Sequence, residues 1–167
     1  QERLDRATRL ICDAISEADI YINGTIADIK SKECEGRINA ALKSLVDIRY
    51  NKLSYIKNFL SNPKDLYDIF NQNAMQMTLV DKADNNKYAL DEIDDHITNN
   101  TARNLQITMK SILQKFSQAP FGWKELDIQG LVLRLFKSQE IRVIQGGESI
   151  APEDKGVIDR KSTRLNS

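Results

Sequence analysis

Apolar residues recur every three or four positions at the start of the chain: Leu4, Ala7, Leu10, Ile11, Ala14, Ile15 and Ala18. That period lines one face of a helix over roughly residues 2–18. Ile20-Tyr21-Ile22, then Asn23-Gly24, then Thr25-Ile26-Ala27-Asp28-Ile29 reads as a hairpin. Asn-Gly suits its turn, because a type I′ turn needs positive φ at both central residues. A second helix is expected over about 33–52, with Ile38, Ala41, Leu42, Leu45 and Val46 on its apolar face and Leu53 near its end. That stripe reads first as intramolecular core and second as a groove for a partner.

Pro63 suits the first turn of a short helix reaching about Asn71, with Ser61 or Asn62 as its cap. Residues 72–88 are polar and rich in Asn, which predicts mainly loop and the break between two subdomains. Leu90 to Ile97 is expected as a short acidic helix, interrupted by Asn99-Asn100-Thr101. Helix resumes near Arg103 and carries Leu105, Met109, Ile112, Leu113 and Phe116 inward. No internal repeat is visible.

Ala119-Pro120-Phe121-Gly122-Trp123 then stops the helix and turns the chain. The next helix spans about Lys124 to Ser138, with Ile128, Leu131, Val132, Leu135 and Phe136 inward. Ile141-Arg142-Val143-Ile144 alternates as a strand, Gln145-Gly146-Gly147 turns, and Glu148-Ser149-Ile150 returns. Helix, turn, helix and hairpin in this order outline a winged helix. The expected fold is therefore mainly α: a helical bundle with a small β-hairpin, followed by a winged-helix-like C-terminal subdomain. Residues 1–75 form the helical part with the hairpin at 20–29, residues 76–100 an acidic loop and short helix, and residues 101–159 the winged-helix-like part.

The ends carry a different signal. The chain opens at Gln1 inside a predicted helix without an initiator Met, which suggests a truncated start. The tail 160–167, Arg160-Lys161-Ser162-Thr163-Arg164-Leu165-Asn166-Ser167, has neither helical nor strand periodicity. It resembles translated adapter DNA at the end of a metagenomic gene fragment and is expected to carry no element. The natural protein is expected to continue past about Asp159.

Composition narrows the class. Of 167 residues 41% are hydrophobic, enough for a core. Lys plus Arg equals Asp plus Glu at 24 each, so net charge argues for neither nucleic acid nor membrane. The charge is unevenly spread. Residues 61–100 hold Asp65, Asp68, Asp81, Asp84, Asp91, Glu92, Asp94 and Asp95 against Lys64, Lys82 and Lys87. Residues 101–144 hold Arg103, Lys110, Lys115, Lys124, Arg134, Lys137 and Arg142 against Glu125, Asp127 and Glu140. No apolar run approaches the roughly 20 residues that a membrane helix needs, and a cytoplasmic protein is expected. Cys12 and Cys34 fall on separate predicted helices, without His ligands, and read as reduced, half-buried thiols. Asn23-Gly24-Thr25 and Asn99-Asn100-Thr101 match the glycosylation pattern by chance in such a chain.

Candidate chemistry is sparse. Neither G-x-x-x-x-G-K-[ST] nor G-x-G-x-x-G occurs, and Gly146-Gly147 reads as a turn. No catalytic, cofactor-binding or metal-binding residues are expected, and the isolated chain is expected not to bind ATP. Asp91 with Asp95, or Glu92 with His96, would share a helix face, but a third converging ligand is missing and a solvated acidic face is the plainer reading. His96 is the sole histidine, and no Ser or Cys motif accompanies it. Trp123 reads as a helix-start anchor ahead of a base-stacking aromatic. Lys124, Arg134, Lys137 and Arg142 are the candidate phosphate contacts along a recognition helix and wing, with Glu125 and Asp127 interrupting that face. This mixed sign favours a winged helix that contacts protein, another chain or its own, over a stand-alone DNA-binding regulator.

Three stretches carry a family resemblance: Ala18-Asp19-Ile20-Tyr21-Ile22-Asn23-Gly24, the segment Leu45 to Ile56 (LVDIRYNKLSYI), and Pro120-Phe121-Gly122-Trp123 followed by Asp127-Ile128 and Leu135-Phe136. In their order and spacing, over roughly residues 1–159, the chain resembles the BREX system P-loop protein BrxC and its relatives, large ATPases of bacteriophage-exclusion operons. The resemblance implies a non-catalytic accessory region, serving assembly or DNA engagement, well C-terminal of an ATPase core. It implies ATP as a cofactor of the full-length protein only. The implied partners are other phage-defence proteins of the same operon, a methyltransferase and an alkaline-phosphatase-like protein among them, with DNA as a further candidate and no membrane. The family's nucleotide-binding residues have no counterpart here.

Overall fold

The computed structural model describes residues 1–71, 86–153 and 164–166. Its contacts divide the chain into two units, Gln1–Asn51 and Lys52–Ser167. The division lies upstream of the 72–88 stretch where the sequence suggested it, and residues 72–85 of that stretch lie outside the described residues.

In the first unit, α1 (Glu2–Glu17) leads into β1 (Tyr21–Ile22) and β2 (Thr25–Ile26), which pair antiparallel with Tyr21 opposite Ile26. Asn23 at φ 50° and Gly24 at φ 79° make the positive-φ turn that the dipeptide promised. Helix α2 (Cys34–Arg49) packs back on α1. Arg37 ties the two together: its guanidinium donates to the Ile15 carbonyl at 2.9 Å and to the Ala18 carbonyl at 2.5 Å. These carbonyls close the C-terminal end of α1, where a cation is favoured. The stripe on α2 is not core as expected. Neither helix holds a buried residue, and Leu42 is 54% exposed. Two amphipathic helices and a two-residue hairpin offer too little apolar surface to enclose both faces.

The second unit carries the core. After a 3-10 turn at Leu53–Tyr55 come α3 (Lys64–Asn71), α4 (Lys87–Ala102), β3 (Ile107–Thr108), α5 (Met109–Phe116), α6 (Glu125–Lys137), β4 (Arg142–Gln145) and β5 (Glu148–Ile150). From α4 onward this is the helix–strand–helix–helix–hairpin order of a winged helix. Asn62 accepts from the Lys64 amide at 2.9 Å and starts α3 as anticipated. Thr108 and Ser111 form a reciprocal capping box at the start of α5. Phe116, Ile93, Ile97, Ile112, Ile128 and Val143 are fully buried, each side chain contributing about 1.5–3 kcal/mol by leaving water.

Three expectations need correction. Helix α4 runs straight through Asn99-Asn100-Thr101, because the Asn100 side chain satisfies itself inside the helix by donating to the His96 carbonyl at 2.6 Å. The helix ends at Ala102, and Asn104 two residues on, at φ 57°, lets Leu105 N–H donate to Asn100 O and Asn104 N–H donate to Thr101 O, a Schellman cap. The stretch from Arg103 to Gln106 is consequently not helical, and Ile107–Thr108 is a strand. The tail is not without structure either. Arg164–Asn166 forms β6 and lies between β3 and β4, giving the sheet order β3-β6-β4-β5 with Leu165 opposite both Ile107 and Val143. Three residues are too few for a period to register in sequence, while two open strand edges supply hydrogen-bonding partners for any extended segment.

Candidate functional site

Helix α6 occupies the position of a recognition helix, so its surroundings decide what the winged helix can do. The apolar residues read from sequence, Ile128, Leu131, Val132, Leu135 and Phe136, are all buried against the fold. The opposite face is buried as well: Asp127, Gly130 and Leu133. Helix α3 and the extended segment before it cover that side. A Cβ on Gly130 would stand 2.5 Å from Leu60 Cδ1 and 3.5 Å from Ile69 Cδ1. Glycine here leaves the room that the Leu60 side-chain end occupies against the helix.

Two buried polar groups fasten this cover. Asp127 Oδ1 accepts from the Leu60 amide at 2.7 Å. Its other oxygen is buried without a hydrogen-bond partner among the described residues. Asn86 Oδ1 accepts from the amides of Lys57 and Asn58 at 2.7 and 3.0 Å, and its Nδ2 donates to the Asn58 carbonyl at 2.9 Å. An extended segment that joins no sheet thus has its backbone groups paired by side chains.

The four candidate phosphate contacts do not make one patch. Lys124 precedes the first turn of α6 and Arg134 sits in its last, about 15 Å apart along the axis at 1.5 Å per residue. Lys124 Nζ lies 5.7 Å from the Phe59 ring centre. Lys137 Nζ lies 4.7 Å from the Phe70 ring centre and donates to the Pro152 carbonyl at 3.4 Å. Arg134 is half-buried. Lys124 and Arg142 are exposed, Arg142 at the start of β4.

Trp123 is 3% exposed. Its ring stacks on Phe116 at 5.1 Å and 8°, and Phe121 closes the cluster edge-on at 4.9 Å from Trp123. Trp123 Nε1–H donates to the Lys52 carbonyl at 3.0 Å. The anchoring role holds, and no face of the indole is open to a base.

The acidic stretch is dispersed by its contacts. Glu92 pairs with Lys52, and Asp91 with Lys87 at 3.8 Å. Burial, then the neighbouring Asp95 and Asp91 charges, push the Asp94 carboxyl up. His96 Nδ1 lies 2.8 Å from Lys115 Nζ and 2.9 Å from Asn100 Nδ2, an acceptor's position between two donors. Burial and, secondarily, Lys115 hold the imidazole below its ordinary value. Burial likewise lowers Lys115. Among the described residues no group of three or more metal-ligating side chains converges, and no helix is long and apolar enough to cross a membrane. An open depression of about 500 Å³ lies between α5 and the start of α6, lined by Lys110, Leu113, Gln114, Ser117 and Glu125.

The sequence reading missed Gly130, Asn86 and the burial of Asp127. Asp127, Gly130 and Leu133 recur at a spacing of three, a second buried face that their mixed chemistry conceals. Asn86 had no signal, because its partners lie 28 and 29 residues away.

Residues 52–166 match the family described as the BREX ATP-binding protein BrxC winged helix-turn-helix domain. Residues 1–45 match the BREX ATP-binding protein BrxC 4th domain with six-stranded beta sheet. The two matches meet close to the division between the structural units. No solved structure matches the chain.

Proposed function

Since the chain belongs to the BREX ATP-binding protein BrxC family, we propose that it is a non-catalytic accessory region of a large phage-defence ATPase whose winged helix serves assembly and does not read DNA. The observation that carries this reading is the burial of α6. A recognition helix reads base edges with side chains that enter the major groove. Here Leu60 and Ile69 pack against α6 at Gly130, and Lys137 is engaged with Phe70 and Pro152. The remaining exposed charge, Lys124 beside Phe59 and Arg142 on β4, offers phosphates weak and salt-sensitive contacts at most.

The exposed stripes of α1 and α2 fit the same reading. Residues 1–45 match a domain described by a six-stranded sheet, and they contribute two strands of two residues each. We propose that these apolar faces lie against such a sheet in the assembled protein, since exposed apolar surface of this kind marks an interface.

The test pairs two measurements on the chain. Fluorescence anisotropy with duplex DNA at low and moderate salt reads DNA binding. Size-exclusion chromatography with the other proteins of the phage-defence operon, each in turn, reads assembly. Co-elution with one of them, with DNA binding weak and abolished by moderate salt, supports the proposal. Tight, sequence-dependent DNA binding without any co-elution overturns it and favours a winged-helix regulator.

A further inference from the structure

The sheet of the second unit holds a slot between two strands that do not pair with each other. In the order β3-β6-β4-β5 one strand lies between β3 and β4, which places those two about 9.6 Å apart, twice the usual strand spacing. A single extended segment fits there and finds backbone partners on both sides. Arg164–Asn166 fills the place with three residues, antiparallel to both neighbours. The flanking strands prescribe what such a segment carries, because residues directly opposite one another share a face of the sheet. Position 165 is opposite Ile107 and Val143, and Val143 is opposite Ile150. Ile107 and Val143 are buried, and Ile150 packs against the same core. That row takes an apolar residue in its middle. Positions 164 and 166 fall on the other face. The first is opposite half-buried Thr108 and Ile144, and the second is opposite exposed Arg142. Among the described residues no ion pair engages Arg142, so an acidic residue at position 166 completes a cross-strand charge pair.

We propose that the β3–β4 slot is a strand-acceptor site, and that its partner is an extended segment of another protein, polar then apolar then acidic, that takes the place of β6. Strand addition draws affinity from main-chain hydrogen bonds and specificity from alternate side chains. Both are defined here, the first by the two facing strand edges and the second by the buried row and Arg142. β6 competes from within the same chain, but it brings Asn166 opposite Arg142 where the partner brings a carboxylate. The site gives the assembly role proposed above a point of attachment and rests on that role for who supplies the segment.

The experiment adds a synthetic peptide with the sequence of residues 160–167, carrying Asn166→Asp, to the isotopically labelled chain and follows backbone amide shifts. The chain is used intact and as Leu165→Asp, which sets a carboxylate in the apolar row and vacates the slot. Saturable shifts at Ile107, Thr108 and residues 142–144 are expected in both, with tighter binding to Leu165→Asp because β6 no longer competes. A peptide that also carries Leu165→Asp should bind at least about tenfold more weakly, the loss of one buried Leu. A peptide that keeps Asn166 should bind about two- to fivefold more weakly at low salt. Circular dichroism checks the fold of the variant chain, and the intact chain alone gives the shifts and both peptide comparisons if that variant unfolds. Absence of shifts on β3 and β4, equal binding by the intact chain and a folded Leu165→Asp, or indifference to the apolar or the acidic residue would overturn the proposal. The co-elution result would stand in each of those cases, so the slot and the assembly role fail separately.

Discussion

Leu60 Cδ1 lies 2.5 Å from the point where a Cβ on Gly130 would sit. This contact joins the covering segment to the helix it covers, and it makes a graded prediction. Gly130→Ala should be nearly neutral, within about 1 kcal/mol, because the end of the Leu60 side chain can rotate away and Ala gains about 1 kcal/mol in helix propensity. Gly130→Leu must also displace Ile69, whose Cδ1 lies 3.5 Å from the same point, and overpacking should cost about 1–3 kcal/mol. Urea unfolding of the two variants checks both. Equal stability for Leu and Ala would mean that the cover is not packed on α6.

The two polar fasteners give three further variants. Asp127→Ala should cost about 1–3 kcal/mol by leaving the Leu60 amide unpaired. Asp127→Asn keeps the acceptor and removes a buried charge, so it should recover most of the loss. Asn86→Ala, which removes three hydrogen bonds to residues 57 and 58, should be the most damaging of the three. Thermal melts that rank Asn above Ala at position 127 support this account. A loss just as large with Asn would place the cost in the charge itself.

Trp123→Ala should cost about 3–5 kcal/mol, as large-to-small changes in a core do. Trp123→Phe keeps the stack on Phe116 and leaves the Lys52 carbonyl the Tyr55 N–H as its donor, for a smaller cost of about 0.5–1.5 kcal/mol. Unchanged melting of Trp123→Ala would contradict the anchor.

His96 gives a pH dependence with a definite sign. Its folded value is depressed below 6.5 by burial and by Lys115. The unfolded chain therefore takes up this proton first as pH falls, and stability is lost from about pH 6.5 downward to the folded value. The raised Asp94 carboxyl works in the opposite direction at lower pH. His96→Gln leaves that effect in place and should flatten the fall between about pH 7 and 5. Parallel slopes for the two proteins would remove His96 from the account.

Much of the fold was legible because its elements are periodic or punctuated. The Leu4 to Ala18 stripe, the Asn23-Gly24 turn and the Ile128 to Phe136 stripe each map onto an element of the structure. Asn104 was not legible as a helix end, since a left-handed cap is a backbone state that Asn99 and Asn100 suggest equally well. The cover on α6 was hidden for a different reason. It depends on which segment crosses Gly130, and Leu60 stands 70 positions earlier in the chain. The candidate phosphate contacts were read from α6 and β4, and what the sequence did not show is that Asp127, Gly130 and Leu133 bury a second face of α6.

The central claim is that α6 is closed off by its own chain. Titration of the isotopically labelled protein with a mixed-sequence DNA duplex, followed by amide chemical-shift mapping, tests it most directly. Shifts confined to exposed charge such as Arg142 and lost at moderate salt, with the amides of residues 125–137 unmoved, are the predicted result. Saturable shifts centred on α6, together with those of Leu60 and Ile69 as the cover lifts, would contradict it.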